Sequence, residues 1–143
     1  MALHMIKLAV SAESAEHVRR WQSERRARQG ALFHFTRMTP RRAEEILEGG
    51  SIYWVIKGLV QARQRILAIE RVRDGEGRPT TRLTLDPILV RTLPQACRAF
   101  QGWRYLEAEA APPDLESDRG RAAGDVAEMP AEMLAELRDL GLL

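Results

Sequence analysis

The sequence predicts an α+β domain in which a mostly antiparallel, barrel-like sheet packs against two helices, with a further helix at the C-terminal end. Short segments with alternating apolar and polar residues recur along the chain, as they do in half-buried strands. Two segments carry apolar residues at helical spacing between a capping residue and a glycine. The length of 143 residues suits one domain with one hydrophobic core.

Strands and helices alternate in the first part of the chain. Residues 3–10 have the alternation of a first strand. Ser11 is expected to cap a helix over 12–28, with acidic residues in its first turns, arginines in its last turns and Gly30 as its end. Residues 31–37 alternate again, which predicts a second strand with one aromatic face.

A short helix and a meander of strands follow. Thr39-Pro40 provides a cap and a proline in the first turn, and it predicts a helix over 40–48 that ends at a pair of glycines. Residues 51–57 are aromatic and β-branched, as in a well-formed strand. Residues 61–73 and 80–85 flank a turn rich in Gly and Pro, so the three strands are expected to form an antiparallel meander.

The last part of the chain changes in composition. Pro94 is expected to interrupt the chain before residues 96–100, which are predicted to be irregular or a short helix, and residues 101–106 predict a last strand. We therefore expect one domain over 1–115, an acidic linker over 116–128 and a C-terminal helix over 129–143. The small apolar face of that helix is expected either to cover its own chain or to bind a partner.

Charge is segregated along the chain. Up to Leu106 there are 19 Lys and Arg against 10 Asp and Glu, and from Glu107 onward there are 3 against 10, which gives net charges of +9 and −7. All but two of the 22 basic residues are arginine, whose planar group suits phosphate and carboxylate recognition. Codon usage in a GC-rich genome is the favoured explanation for the excess of arginine over lysine, but it does not explain the segregation of charge.

Signatures of common enzymes and of metal sites are absent from the sequence. Cys97 is the only cysteine, so an internal disulfide is excluded, and the three histidines are scattered. The sequence contains no glycine-rich phosphate loop, zinc-protease motif or nucleophile elbow. We therefore predict no catalytic residue, cofactor or metal. Because no apolar segment has the length of a signal peptide or a membrane span, we expect a cytoplasmic protein without a membrane partner, and its oligomeric state stays open.

Aromatic residues interleaved with Arg and Lys indicate a surface for nucleic acid, because rings stack on bases and cations bind phosphates. The predicted nucleic-acid-binding residues are Arg37, Arg41, Arg42, Tyr53, Trp54, Lys57, Arg63, Arg65 and Arg104. Tyr53 and Trp54 are neighbours in a strand and point to opposite faces, so at least one of them is expected in the core.

Four segments of the chain are distinctive. They lie at residues 36–42, 50–58, 63–67 and 100–106, and read TRMTPRR, GSIYWVIKG, RQRIL and FQGWRYL. Together they resemble an uncharacterised bacterial family, domain of unknown function 1489, over residues 4 to about 115. The resemblance implies a small cytoplasmic protein and implies no activity.

The order of elements has a second likeness. A short helix ending in Gly-Gly, an aromatic strand and a meander are similar in order to the PUA-like barrels, including the ASCH and EVE domains, which tend to bind RNA or modified bases. The chain has Ser51-Ile52-Tyr53-Trp54-Val55 where ASCH domains are expected to carry a charged Lys-x-x-Glu-x-Arg pattern. This likeness concerns architecture alone.

These observations favour a non-catalytic module that binds RNA or a nucleotide. One alternative is an enzyme that modifies a small molecule or nucleotide in the same pocket, with His34 as acid or base and with Arg37 and Arg104 binding an anion. Another is a protein-interaction module that uses the C-terminal helix.

Overall fold

The computed structural model describes residues 3–115, which form one sheet of seven strands and two α-helices. The strands are β1 (His4–Leu8), β2 (Leu32–Thr36), β3 (Ser51–Ile56), β4 (Leu59–Arg73), β5 (Pro79–Leu85), β6 (Val90–Ala96) and β7 (Trp103–Leu106). The helices are α1 (Ala15–Gln29) and α2 (Ala43–Leu47), and a 3-10 turn spans Ala108–Ala110. This confirms the mixed α+β class. The predicted linker over 116–128 and helix over 129–143 lie outside the described residues.

The sheet is mostly antiparallel but does not close into the predicted barrel. Its order is β2-β5-β4-β3-β1-β7, and β6 pairs with β4. Only β1 and β3 run parallel among the described strands. The long strand β4 explains the open shape, because its first half pairs with β3 and β6 whereas its second half pairs with β5. The path therefore ends at β2 and at β7, which are not paired with each other.

Helix α1 begins later than the sequence analysis predicts. Ser14, and not Ser11, is the cap: its backbone is extended and its hydroxyl accepts a hydrogen bond of 3.1 Å from the His17 N–H. Ser11 has a φ of 66° in the preceding turn, which removes it from the capping position. The end is as predicted, since Gly30 takes a left-handed conformation and donates its N–H to the Arg26 carbonyl.

Helix α2 is also shorter than predicted. Thr39 does not cap it, because its hydroxyl is hydrogen-bonded to the Thr81 hydroxyl at 2.6 Å and so ties the loop to β5. At the other end, the Gly50 N–H donates to the Ile46 carbonyl at 2.6 Å. The helix is thereby confined to one and a half turns between these two attachments.

The predicted meander is confirmed, and residues 97–100 are irregular as expected, but β6 continues through Pro94, where an interruption is predicted. β3, β4 and β5 pair antiparallel in succession, and the turn after β4 is held by Asp74, whose carboxylate accepts the N–H groups of Glu76 and Arg78. β6 contains Pro94 and pairs with β4 across a register shift. Proline is tolerated at such a position, because a bulge or an edge strand does not require the backbone N–H that proline lacks.

Both faces of β3 are buried. One face carries Ile52, Trp54 and Ile56 into an inner core that α1 covers with Ala15 and Val18. The other face carries Tyr53 and Val55 into an outer cluster with Ile6 and Val60 from the neighbouring strands. β3 is therefore the central strand of the fold, which explains why it is the most apolar segment of the chain.

Within residues 3–115, no helix has the length and apolar character needed to cross a membrane.

Candidate anion-binding pocket

A cavity of about 250 Å³ lies between α1, the end of β1 and the start of β2. Its walls are mostly apolar, with Trp21, Phe33 and Trp54 as the large aromatic side chains. Three groups that carry or can carry positive charge also line it: Lys7, Arg25 and His34. We call this cavity the cationic pocket.

The sequence pattern of three separate elements brings these groups together. Lys7 follows the buried Met5 by two positions on β1, so its side chain leaves the strand on the inner face. Arg25 lies four residues after Trp21 on α1 and shares its helix face. His34 follows the buried Leu32 by two positions on β2. The pocket is thus built where β1 and β2 approach without pairing.

Lys7 and Arg25 have no counter-ion among residues 3–115. Other cations of this part of the chain do form ion pairs, such as Arg19 with Glu16 and Lys57 with Glu13. Lys7 is half-buried, and burial lowers its pKa. A partly buried ammonium group without an anion loses hydration that no protein group replaces. The pocket therefore favours any ligand that brings a negative charge.

His34 is the most perturbed histidine of the described chain. Its Nε2 atom is buried and has no hydrogen-bond partner within residues 3–115, and its ring makes an edge contact with Trp54 at a centroid distance of 5.1 Å. Burial first, and then the charges of Lys7 and Arg25, lower the pKa of His34 to about 4. The imidazole is consequently neutral at pH 7.

A buried hydrogen-bond network includes two residues that line the pocket, Gln22 and Trp54. The Trp54 Nε1–H donates to the Gln64 side-chain oxygen at 2.9 Å. Gln64 and Gln22 exchange two further hydrogen bonds of 2.7 and 2.8 Å, and Gln64 also donates to the Asp86 carbonyl. These groups satisfy one another, so Trp54 has a fixed structural position. Trp21 is different, since it is partly exposed, and its ring centroid lies 4.0 Å from the centroid of the His17 ring.

The two aromatic residues predicted to bind nucleic acid are both buried. Tyr53 is 5% exposed in the outer cluster, and Trp54 is 4% exposed in the inner core. The expectation that at least one belongs to the core is therefore met by both. Little of either ring is accessible to a base, although Trp54 lines the cationic pocket and Tyr53 lines a second cavity together with Arg63.

The predicted cations fall into two groups. Three form ion pairs, and they are Arg42 with Glu45, Lys57 with Glu13 and Arg63 with Asp114, at N–O distances of 2.7, 2.6 and 2.6 Å. The other four are exposed and form no ion pair within residues 3–115; they are Arg37, Arg41, Arg65 and Arg104. None of the seven lines the cationic pocket. Their role in binding stays a prediction.

Two of the distinctive segments do meet in space. Trp103 donates its indole N–H to the Met38 carbonyl at 3.0 Å, and the Tyr105 hydroxyl accepts the Arg42 backbone N–H at 3.1 Å. The loop between β2 and α2 is thereby fastened to β7. The exposed arginines Arg37 and Arg41 lie on this loop.

The sequence analysis did not select Lys7, Trp21 or Arg25. The available signal was a lysine within an apolar strand, on the face that the alternation assigns to the core. No group of three or more His, Cys, Asp or Glu side chains within residues 3–115 is arranged to hold a metal ion.

The family model described as Protein of unknown function (DUF1489) matches residues 5–143. Because this match covers nearly the whole chain, the protein belongs to that family, as the four distinctive segments indicate. No curated protein and no solved structure shows significant similarity to it.

Proposed function

We propose that this member of the DUF1489 family is a non-catalytic module that binds a nucleotide, or a terminal nucleotide of RNA, in the cationic pocket. The observation that carries the proposal is the half-buried ammonium group of Lys7, which has no counter-ion among the described residues and lies in one cavity with Arg25. A ligand phosphate at this position would restore the interactions that burial removes from Lys7.

The other walls of the pocket suit the base and sugar. Trp21 is a partly exposed ring beside the two cations, so it takes the stacking role that the sequence analysis gave to Tyr53 or Trp54. The volume of about 250 Å³ lies near the lower limit for small-molecule sites, which is roughly 300 Å³. One nucleotide therefore matches the cavity better than a duplex does.

The RNA form of the proposal uses the exposed arginines as well. Arg37, Arg41 and Arg65 would bind the backbone of a longer strand whose end lies in the pocket. A PUA-like function, in the cytoplasm, is the finer version of this proposal. The mostly antiparallel sheet, and the order of a short helix, an aromatic strand and a meander, support it at the level of architecture only.

A catalytic role is the second candidate, and the low pKa of His34 is the observation that favours it. In that version Lys7 and Arg25 bind the anion, since neither Arg37 nor Arg104 lines the pocket. A neutral imidazole with a pKa of about 4 is a weak base at pH 7. Binding without turnover is therefore the better-supported function.

Isothermal titration calorimetry with the four ribonucleoside 5′-monophosphates tests the proposal. The two lysines of the chain provide a matched pair of variants. Lys7→Met should weaken binding at least about tenfold, since a charge-assisted contact contributes roughly 1.5–3 kcal/mol. Lys57→Met removes an exposed lysine that is paired with Glu13 and lies outside the pocket, so binding should not change.

Two results would contradict the proposed function. One is the absence of heat from all four nucleotides at millimolar concentration and low salt. The other is an equal loss of affinity in the Lys7 and Lys57 variants, which would show that overall charge, and not the pocket, governs binding.

A further inference from the structure

We infer that the cationic pocket takes up a proton together with its anionic ligand, and that His34 is the group that accepts this proton. The inference rests on the proposed function and adds to it a third binding group and a dependence of affinity on pH.

His34 is surrounded by positively charged and apolar groups. β1 contributes Lys7 and α1 contributes Arg25, and both of these groups are positively charged. β3 contributes Trp54 by ring contact, and β5 pairs with the residue through Leu83, so neither strand brings a charge to it. No carboxylate within residues 3–115 is among the groups that act on the imidazole. Its electrostatic environment is therefore wholly positive.

Protonation of the His34 ring is unfavourable in this pocket. An imidazolium has two N–H donors, and both need acceptors when they are buried. The Nε2 atom of His34 has none among the described residues. A proton would also add a third positive charge to the cavity. The neutral ring is preferred for both reasons, which agrees with a pKa of about 4.

An anion bound in the pocket makes protonation of His34 easier. A phosphate group between Lys7 and Arg25 offsets their charges, and its oxygens are hydrogen-bond acceptors. Both obstacles to protonation are thereby reduced, and the pKa of His34 rises toward its ordinary value of 6.5. Since the complex then holds the proton more tightly than the free protein does, linkage requires that affinity increase as the pH falls.

The size of the increase in affinity follows from the two pKa values of His34, about 4 and 6.5. If the ligand restores the ordinary pKa in full, affinity rises about tenfold between pH 7.5 and 5.5. Close to one proton is then taken up for each ligand bound at pH 5.5.

The experiment uses the full chain and the dinucleotide UpU, whose phosphodiester keeps one negative charge throughout this pH range. Calorimetric titrations from pH 7.5 to 5.5 give the affinity, and repetition in two buffers of different ionisation enthalpy gives the proton uptake. The wild-type affinity should rise about tenfold with proton uptake. His34→Gln should bind with little pH dependence, whereas His4→Gln, which alters a histidine outside the pocket lining, should retain the rise.

The outcomes separate the two proposals. Binding of UpU without a pH-dependent gain, without proton uptake, or with the same gain in His34→Gln would overturn the role of His34 and leave the proposed function standing. Absence of UpU binding at every pH would overturn the role of His34, and it would overturn the proposed function as well only if the four ribonucleoside 5′-monophosphates also fail to bind. Because proton uptake is measured on the wild-type chain, the inference remains falsifiable even where His34→Gln fails to fold.

Discussion

At the scale of single residues, the two lysines of the chain show how position decides chemistry. Lys57 is exposed at the turn after β3, and its ammonium lies 2.6 Å from the Glu13 carboxylate. Such surface pairs contribute only about 0–1 kcal/mol to stability. Lys7 is half-buried and has no counter-ion among the described residues, so a group of the same type becomes available for a ligand.

His34 leads to a prediction for stability. Its pKa is about 4 in the folded protein and 6.5 in the unfolded chain, so the neutral form stabilises the fold. This contribution is fully present above pH 6.5 and is lost as the pH falls toward 4. The difference between the two pKa values corresponds to roughly 3 kcal/mol. Urea unfolding at several pH values should therefore show a steeper loss for wild type than for His34→Gln across this window.

Comparing wild type with His34→Gln isolates the contribution of His34. Both proteins contain the same carboxylates, so the pH dependence that arises from carboxylates is common to both. Identical pH dependences of the free energy of unfolding would contradict the buried, neutral state of His34.

The residue-scale prediction from sequence succeeded in part. Alternation along the strands correctly placed Tyr53 and Trp54 on opposite faces of β3. It did not show that both faces are covered, since that depends on α1 and on strands distant in sequence. The same limit applies to Lys7, because alternation gives the face of a side chain and says nothing about the carboxylates within its reach.

At the scale of elements, the junction between α2 and β3 depends on one glycine. The Gly50 N–H donates to Ile46, and its carbonyl accepts the Ile66 N–H at 3.1 Å. A Cβ atom at this position would collide with the backbone carbonyls of Leu3 and Ile46. Because those atoms are backbone, relief requires that β1 or α2 move.

Gly50→Ala should therefore lower the free energy of unfolding by about 2–4 kcal/mol, within the range of severe single substitutions. Gly75→Ala is the matched control, since Gly75 has open space around it and no positive φ, and it should change stability by less than about 0.5 kcal/mol. Thermal or urea unfolding of both variants provides the measurement. Equal stabilities would show that the close packing of α2 on β1 is not present in solution.

Element boundaries reveal where local sequence signals compete. Ser11 and Ser14 are equivalent as capping residues, and only the turn that places Ser11 at a positive φ decides between them. Thr39 is a suitable cap that is instead hydrogen-bonded to Thr81 on β5. Pro94 indicates a break in the chain, yet β6 continues through it along the edge of β4. A local turn decides the first of these cases, and contacts with distant segments decide the other two.

At the scale of the whole molecule, the central difference from the sequence-based expectation is the open sheet. Local alternation identifies strands but does not specify the partner of each one. β4 serves three neighbours along its length, and β1 lies parallel to β3 inside the sheet. The cationic pocket lies between β2, which is one end of the sheet, and β1, which does not pair with it.

The charge of the chain also indicates less than the structure does about where a ligand would bind. The excess of arginine before Leu106 predicts an affinity for anions but not its location. In the structure, Arg42 and Arg63 are paired with carboxylates, and Arg37 and Arg65 are exposed outside the pocket. The site that we propose uses Lys7 and Arg25, which come from segments that the motif search did not select.

The most direct test of the account is to map the binding of uridine 5′-monophosphate onto the full chain by two-dimensional 1H–15N NMR. The account predicts that the largest shifts occur together at residues 7–10, 21–25 and 32–34, three segments that meet only at the cationic pocket. Shifts concentrated at Arg37, Arg41 and Arg65, with these three segments unchanged, would contradict it and would place binding on the exposed arginines instead.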